Sequence, residues 1–429
     1  MKRKLLASLF IVLFTIAVTQ AQYNTSVNPR DVVVKVEYKK PVDNVIGFVS
    51  EPAMTQKTFA VAVNETEIGI TQYDLQSNTM LSNRIHMYPD GTIGAVWTQG
   101  MTATAFPDRG TGYNFFDGTS WDVAPTSRLE SMRTGWPSYA PLGADGELVV
   151  SHDFAASALI YLTRDVKGTG TWNENVYTYT NGPTTLSWPR AVTNGNTIHM
   201  VTNTVGAYSG MNDAVVYSRS LDAGVSWDIE NVIPDGMDDS YYLELGPDQY
   251  VWAEPRNGQI ALLVGSAWHD LFMMKSDDDG DSWDKTVIWE HPYPFFDWDV
   301  TIADTFFCVD NSASICLDNA GKAHVVFGIN RVAHFDVGTT YTLWPLYDGI
   351  GYWNEDMPAF GNDIDALAGP QYGFANSEMV EDVNYVGWMQ DVDGSGSIEL
   401  AADIMYYREL GPSTMPTILV DDNDFIYLL

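Results

Sequence analysis

A β-propeller of four-stranded antiparallel blades is the all-β fold this sequence predicts, and three observations predict it. Residues 220–227 and 276–283 spell one pattern, S-x-D-x-G-x-S-W, 56 residues apart. Trp121, Trp172, Trp227, Trp283 and Trp353 recur at intervals of 51, 55, 56 and 70 residues, close to the length of a propeller blade. Composition agrees: 14 Trp, 23 Tyr and 35 Gly with only 18% charged residues describe an aromatic, turn-rich chain, and no segment holds a helical period.

From the N-terminus, Lys2-Arg3-Lys4, an apolar run over residues 5–18 and Thr19-Gln20-Ala21 make residues 1–21 a signal peptide cut after Ala21. The run is short for a membrane span, no second candidate span follows, and no Cys at the cut offers a lipid anchor. The expected location is therefore secreted or cell surface. Residues 22–57 read as a linker or early strand pair, and 58–429 as one propeller. Residues 59–63 and 67–73 are expected to be strands with no blade before them.

Blade hairpins are marked next. Asp90-Gly91, Asp145-Gly146, Asn194-Gly195, Asn257-Gly258, Ala320-Gly321 and Asn423-Asp424 each lie beside apolar runs, a strong hairpin signal. A degenerate copy over residues 381–389 brings the count to seven, so seven blades are favoured and six stay open. The apolar run Ile426-Tyr427-Leu428-Leu429 is expected to share a composite closing blade with the N-terminal strands, because an unpaired edge invites aggregation. The alternative is a natural chain that continues past Leu429.

In S-x-D-x-G-x-S-W the Asp bonds backbone N–H groups of its own turn, the Gly supplies a positive φ, and the Trp folds back as a latch. Ser220, Asp222, Gly224 and Trp227, with Ser276, Asp278, Gly280 and Trp283, are therefore structural residues. The repeated Trp136-Pro137 and Trp188-Pro189 read as packing between blades ahead of a sugar-binding face.

These two copies resemble the Asp-box, or bacterial neuraminidase repeat, of sialidase-like β-propellers, over roughly residues 80–410 as a blade pattern. The resemblance implies a carboxylate-gripping Arg in the first blade and an acid Asp shortly after. Asn83-Arg84-Ile85-His86 has His where that family has Pro, and Asp108 follows 24 residues on, so Arg84 and Asp108 become the catalytic candidates. Guanidinium forks bind carboxylates bidentately, and Arg133, Arg190, Arg256 and Arg331 are the candidates for the remaining substrate-binding positions. Tyr385 is the candidate for the family's nucleophilic Tyr.

Residues 391–399 fit the first nine positions of a calcium loop, with Asp391, Asp393, Ser395, Ser397 and Glu399 as candidate oxygen donors for a structural Ca²⁺; a plain acidic turn is the equal alternative. Cys308 and Cys316 are a candidate disulfide in an exported chain, with two buried thiols as the alternative. A net charge of −34 repels nucleic acid and anionic membranes. The sequence thus points to an exported, sialidase-like propeller that binds glycan or a cell-surface protein at the channel mouth. An exo-acting glycoside hydrolase is the second reading and a structural surface module the third.

Overall fold

The computed structural model describes residues 25–27, 33–38, 65–81, 83–153, 158–180, 182–389, 398–400 and 408–429. Five antiparallel sheets follow one another along the chain as the blades of a propeller. Blade I has three strands, Ile85–Met87, Ile93–Gln99 and Gly110–Phe116. Blade II runs Gly135–Leu142, Gly146–Asp153, Ala158–Arg164 and Asn173–Val176. Blade III is Leu186–Asn194, Thr197–Thr204, Val215–Ser220 and Ile229–Val232, and blade IV is Tyr250–Trp252, Ile260–Ser266, His269–Ser276 and Asp284–Trp289.

Blade V is larger. Its long first pair, Ala303–Leu317 and Ala323–His334, carries Ile350–Asn354 and Tyr385–Gly387 at one end, while Thr340–Leu343 and the N-terminal Val34–Glu37 extend the other. First strands of successive blades II to V touch one another, which makes them the inner strands. The buried apolar side chains form two large clusters, one under blades II to IV and one under blades IV and V, with a small third between blades I and II.

Six of the seven expected turn copies fall at the ends of hairpins, the sixth being the pair Ile418–Val420 and Ile426–Leu428. The degenerate copy over residues 381–389 is different: its Tyr385–Gly387 is the outer strand of blade V. Among the described residues the repeats therefore mark six hairpins, five of them in the five blades and the sixth a separate two-stranded sheet. At Asn257-Gly258 the turn chemistry is explicit, with φ of 53° and 75° and reciprocal backbone bonds between Arg256 and Gln259 of 3.1 and 2.9 Å. Two successive left-handed residues are what a twisted two-residue hairpin needs.

Residues 67–73, expected as a strand, are extended but form no ladder. The segment is held to the end of blade I by one backbone bond, Gln72 N–H to the Gly100 carbonyl at 2.8 Å, and by side chains: Thr71 Oγ1 donates to the Thr98 carbonyl at 3.1 Å and Gln76 Nε2 to the same oxygen at 2.9 Å. The closing blade expected from residues 426–429 and the N-terminal strands does not form among the described residues: Ile426–Leu428 pairs with Ile418–Val420 alone, while the N-terminal Thr25–Val27 and Val34–Glu37 pair with Ile398–Leu400 and Thr340–Leu343.

The expected disulfide is absent. Cys308 and Cys316 are free thiols on one strand, opposite Asn330 and His324 respectively. Eight residues of strand separate them by roughly 20–26 Å, far beyond the reach of an S–S bridge.

The two S-x-D-x-G-x-S-W turns share one hydrogen-bond set. Asp222 accepts from the Ser226 N–H (2.8 Å) and hydroxyl (2.6 Å), and Asp278 does the same with Ser282 (2.9 and 2.6 Å). Ser220 and Ser276 accept the N–H of Gly224 and Gly280 at 2.8 and 2.9 Å. The Trp that follows, however, reaches across to the preceding blade. Trp172, Trp227 and Trp283 sit edge-on against Tyr113, Tyr161 and Tyr217, third-strand residues of blades I, II and III, at 5.4, 5.9 and 5.1 Å. Tyr161 also donates to the Gly224 carbonyl at 2.8 Å, and a Cβ on Gly280 would lie 2.1 Å from the Tyr217 hydroxyl. The repeat is therefore an inter-blade latch as well as a turn staple. Trp121 and Trp353 do not follow this pattern: Trp121 meets Phe116 of its own blade, and Trp353 donates to the Pro358 carbonyl.

Candidate functional site

Chain direction assigns two faces. Each first-to-second strand turn and each S-x-D-x-G-x-S-W loop lie at the same end of the blades, tied together by bonds such as Gly143 N–H to the Gly195 carbonyl (2.8 Å) and Asn194 to Asp279 (3.0 Å). This is the tip face. The starts of the inner strands and the second-to-third strand turns lie at the other end, the mouth face.

Trp136 and Trp188 stand at the starts of the inner strands of blades II and III, each at a bulge and each with left-handed φ, 49° and 53°. Both are buried, their rings 4.6 Å apart, with His152 stacked on Trp136 at 5.6 Å. Together with Ser77, Met80, Arg84, Pro189, Arg190 and Asp248 they line a narrow crevice. Arg84 donates to the Gln76 side chain at 2.9 Å and to its carbonyl. Arg190 spreads its guanidinium over the carbonyls of Met80, Leu81 and Tyr250 and pairs with Asp248, both side chains being buried. Burial pushes the Arg84 guanidinium down to about 10, with Asp248 opposing and Arg190 adding to the shift.

Of the four further arginines proposed from sequence, only Arg190 joins Arg84. Arg133 donates its Nε to the Phe106 carbonyl at 3.0 Å. Arg256 is on the tip face, bonded to the Leu317 carbonyl at 3.2 Å and 3.6 Å from Asp422. Arg331 is wrapped by Phe307, Trp344, Tyr347 and Phe374, each ring 5.0–5.6 Å away. Asp108 does not line the crevice: it accepts the N–H groups of Met101 (2.8 Å) and Thr102 (3.1 Å) and holds its own loop. Burial works to raise its carboxyl, those backbone donors outweigh it, and the group stays below the ordinary carboxylate range, unlike a general acid. Tyr385 is buried with its hydroxyl on the Asp348 carbonyl at 2.7 Å.

A second concavity on the mouth face, with a cavity volume of about 20 Å³ against about 10 Å³ for the crevice, escaped sequence reasoning. Its walls are aromatic: Tyr38, Tyr242, Trp268, Phe295, Phe296 and Trp298. Tyr38 and Trp298 stack at 4.4 Å, and Trp268 packs on Trp298 at 4.6 Å. Glu244, Gln249 and His269 supply polar groups among the rings, and burial pushes the His269 imidazole down to about 4, so it is neutral at pH 7. Trp268 is fixed from behind, its Nε1 donating to the buried Glu409 carboxylate at 2.9 Å. The Pro292-Tyr293-Pro294-Phe295-Phe296-Asp297-Trp298 run was the one signal in the sequence that could have flagged this hollow.

Asp391, Asp393, Ser395 and Ser397 lie outside the described residues, as does the side chain of Glu399. Among the described residues no group of three or more His, Cys, Asp or Glu is placed to hold a metal, and no helix is long and apolar enough to cross a membrane.

No protein-family model matches the chain, and no curated protein matches it in sequence. Solved structures do. An α-L-arabinofuranosidase from Fusarium graminearum is 13% identical, with 67% of this chain and 86% of that one covered and a TM-score of 0.40. An ulvan lyase of polysaccharide lyase family PL25 is 11% identical, over 66% and 72%, with a TM-score of 0.40. An α-L-arabinofuranosidase from Podospora anserina is 12% identical, over 67% and 94%, with a TM-score of 0.37.

Proposed function

We propose that the chain is an exported glycan-binding propeller whose ligand, a neutral oligosaccharide, lies in the aromatic hollow of the mouth face. One observation carries the reading: stacked Tyr38 and Trp298, with Trp268 and Phe296 beside them, offer apolar faces for the C–H surfaces of sugar rings, while Glu244 and the Gln249 amide are set among them for hydroxyl groups, His269 being bonded to the Asp270 carbonyl and to Gln249 Oε1. Neutrality follows from charge, since a chain of net −34 repels acidic glycans at long range.

Binding is favoured over hydrolysis by the carboxylate inventory. Glycoside hydrolases commonly use two carboxyl groups flanking the scissile bond. The hollow is lined by one, Glu244, and the crevice by one, Asp248, which is already paired with Arg190.

Titration calorimetry of the mature chain against neutral oligosaccharides tests this. Trp298→Ala is expected to weaken binding about tenfold or more while leaving the far-UV spectrum intact. Absence of any neutral ligand, or an unchanged affinity in Trp298→Ala, defeats the reading. Turnover of a fluorogenic sialoside that disappears in Asp108→Ala would establish the hydrolase instead.

A further inference from the structure

The crevice between the segment that precedes blade I and the starts of blades II, III and IV carries an inference that goes beyond the hollow. Two fully buried polar atoms belonging to its lining residues have no hydrogen-bond partner: the indole Nε1 of Trp136 and the Oδ2 of Asp248. Their residues are 4% and 3% exposed. A buried polar group without a partner costs about 1–3 kcal/mol, so native chains rarely leave two at one place without an occupant.

The two atoms are complementary. The indole N–H can only donate, and the carboxylate, whose other oxygen is taken by Arg190, can only accept. One group satisfies both at once, a hydroxyl, accepting from Trp136 and donating to Asp248. A carboxylate would meet Asp248 as a like charge, and Arg84 and Arg190 are already engaged by Gln76 and by the Met80, Leu81 and Tyr250 carbonyls. A cation would meet the indole N–H and two guanidinium groups. The enclosed volume of about 10 Å³ is room for one water-sized group and not for a ring.

We infer that this crevice is a subsite for a single hydroxyl of a neutral polyol or sugar, most readily a primary hydroxyl on a flexible CH₂ arm. Asp248 and Gln249 are consecutive residues that line the crevice and the hollow respectively, so a sugar chain in the hollow has the crevice beside it. The choice of a sugar as ligand rests on the reading of the hollow; the hydroxyl chemistry does not.

Trp136→Phe is the test: it removes the N–H that bonds nothing in the protein, together with part of the ring that packs on Tyr73, His152, Trp188 and Arg109. The indole ¹⁵N–¹H resonance that vanishes in Trp136→Phe identifies Trp136, and it is followed while methyl α-D-glucopyranoside or its 6-deoxy analogue is added. The expected result is a saturable shift with the 6-hydroxyl sugar, about tenfold weaker response to the 6-deoxy sugar, and about tenfold weaker calorimetric affinity in Trp136→Phe. Ligand-free Trp136→Phe is expected to melt somewhat below the wild type because ring volume is lost, so the affinities are compared at a temperature where both chains are folded. No shift with either sugar means that water alone fills the crevice and overturns the inference. Equal responses to both sugars overturn it as well. Trp298→Ala separates the two sites: if it leaves the 6-hydroxyl response intact while Trp136→Phe abolishes it, the hollow reading fails and the crevice stands.

Discussion

The tip face and the mouth face of this propeller use similar residues to opposite ends. At the tips, Asp222 and Asp278 accept bonds from Ser residues two and four positions away, and even fully buried Glu147 has both oxygens occupied. At the mouth, Trp136 Nε1 and Asp248 Oδ2 are left without partners. Backbone strain divides the same way. The four described aromatic residues with left-handed φ, Phe106, Trp136, Trp188 and Phe295, are all at the mouth, whereas the tips place Ala223, Asn257 and Asp279 in that region. Bulky residues pay more for a positive φ, and such strain persists where the surrounding structure enforces it for a use. The division of polar groups is not complete, since Gln259 Oε1 on the tip face is also buried without a partner.

The largest expected effect that would break this division is at Glu147. Its carboxylate accepts from Tyr113 (2.7 Å), Tyr139 (2.6 Å), the Arg164 Nε (2.8 Å) and the Gly168 N–H (3.0 Å), joining blades I and II. Glu147→Ala leaves Arg164 buried without its counter-charge, a change that costs about 3–5 kcal/mol in comparable pairs. Urea unfolding should show that loss. A Glu147→Ala chain as stable as the wild type would mean that the tip network is dispensable.

This division also explains what the sequence could reveal. Asp222, Asp278 and Asn257-Gly258 were legible because their partners are within four residues, so a short motif contains its own physical reason. The hollow was not, because Tyr38, Glu244, Trp268, Trp298 and Glu409 are brought together only by closure of the blades. Arg84 was singled out through the family resemblance and Arg190 only as one of four candidates, while Asp248, which pairs with Arg190, was not found, since nothing in Pro247-Asp248-Gln249 marks it. Asp108 shows the converse: the right residue type at the right spacing, used by its own loop. The latch of Trp227 on Tyr161 was half legible, for the repeat showed the Trp but not that its socket belongs to the preceding blade.

A smaller effect sharpens the comparison at that latch. Trp283→Ala removes a ring packed on Tyr217 and Trp252 from the junction of blades III and IV. Its side chain is only partly buried, so the loss should fall below the roughly 3–5 kcal/mol of a fully buried aromatic, at about 2 kcal/mol. Calorimetric scanning measures this, and oligosaccharide affinity should not change. A variant that keeps its stability but loses ligand would reverse the roles assigned to the two faces.

The smallest expected effect is in the acid limb of stability. Asp278 is held down to about 2 by the Ser282 hydroxyl and then the Ser282 N–H, with burial opposing weakly. A depressed carboxyl binds its proton less readily in the folded chain, so its contribution is present above about pH 4 and is lost as pH falls towards 2. Asp310 has the opposite sign. Burial at the bulge of blade V raises it to about 6 against the hydroxyls of Ser312 and Thr414, so the folded chain favours its protonated form. Its contribution is full below about pH 4 and is lost as pH rises through 6. Melting temperatures measured across pH 2–7 should therefore respond in separate windows: Asp278→Asn flattens the decline between pH 4 and 2, and Asp310→Asn flattens the change between pH 4 and 6. If Asp278→Asn leaves the lower limb as steep as in the wild type, the tip carboxylates are decoration on turns that the backbone closes unaided, and the contrast between the faces rests on the buried Glu147 network alone.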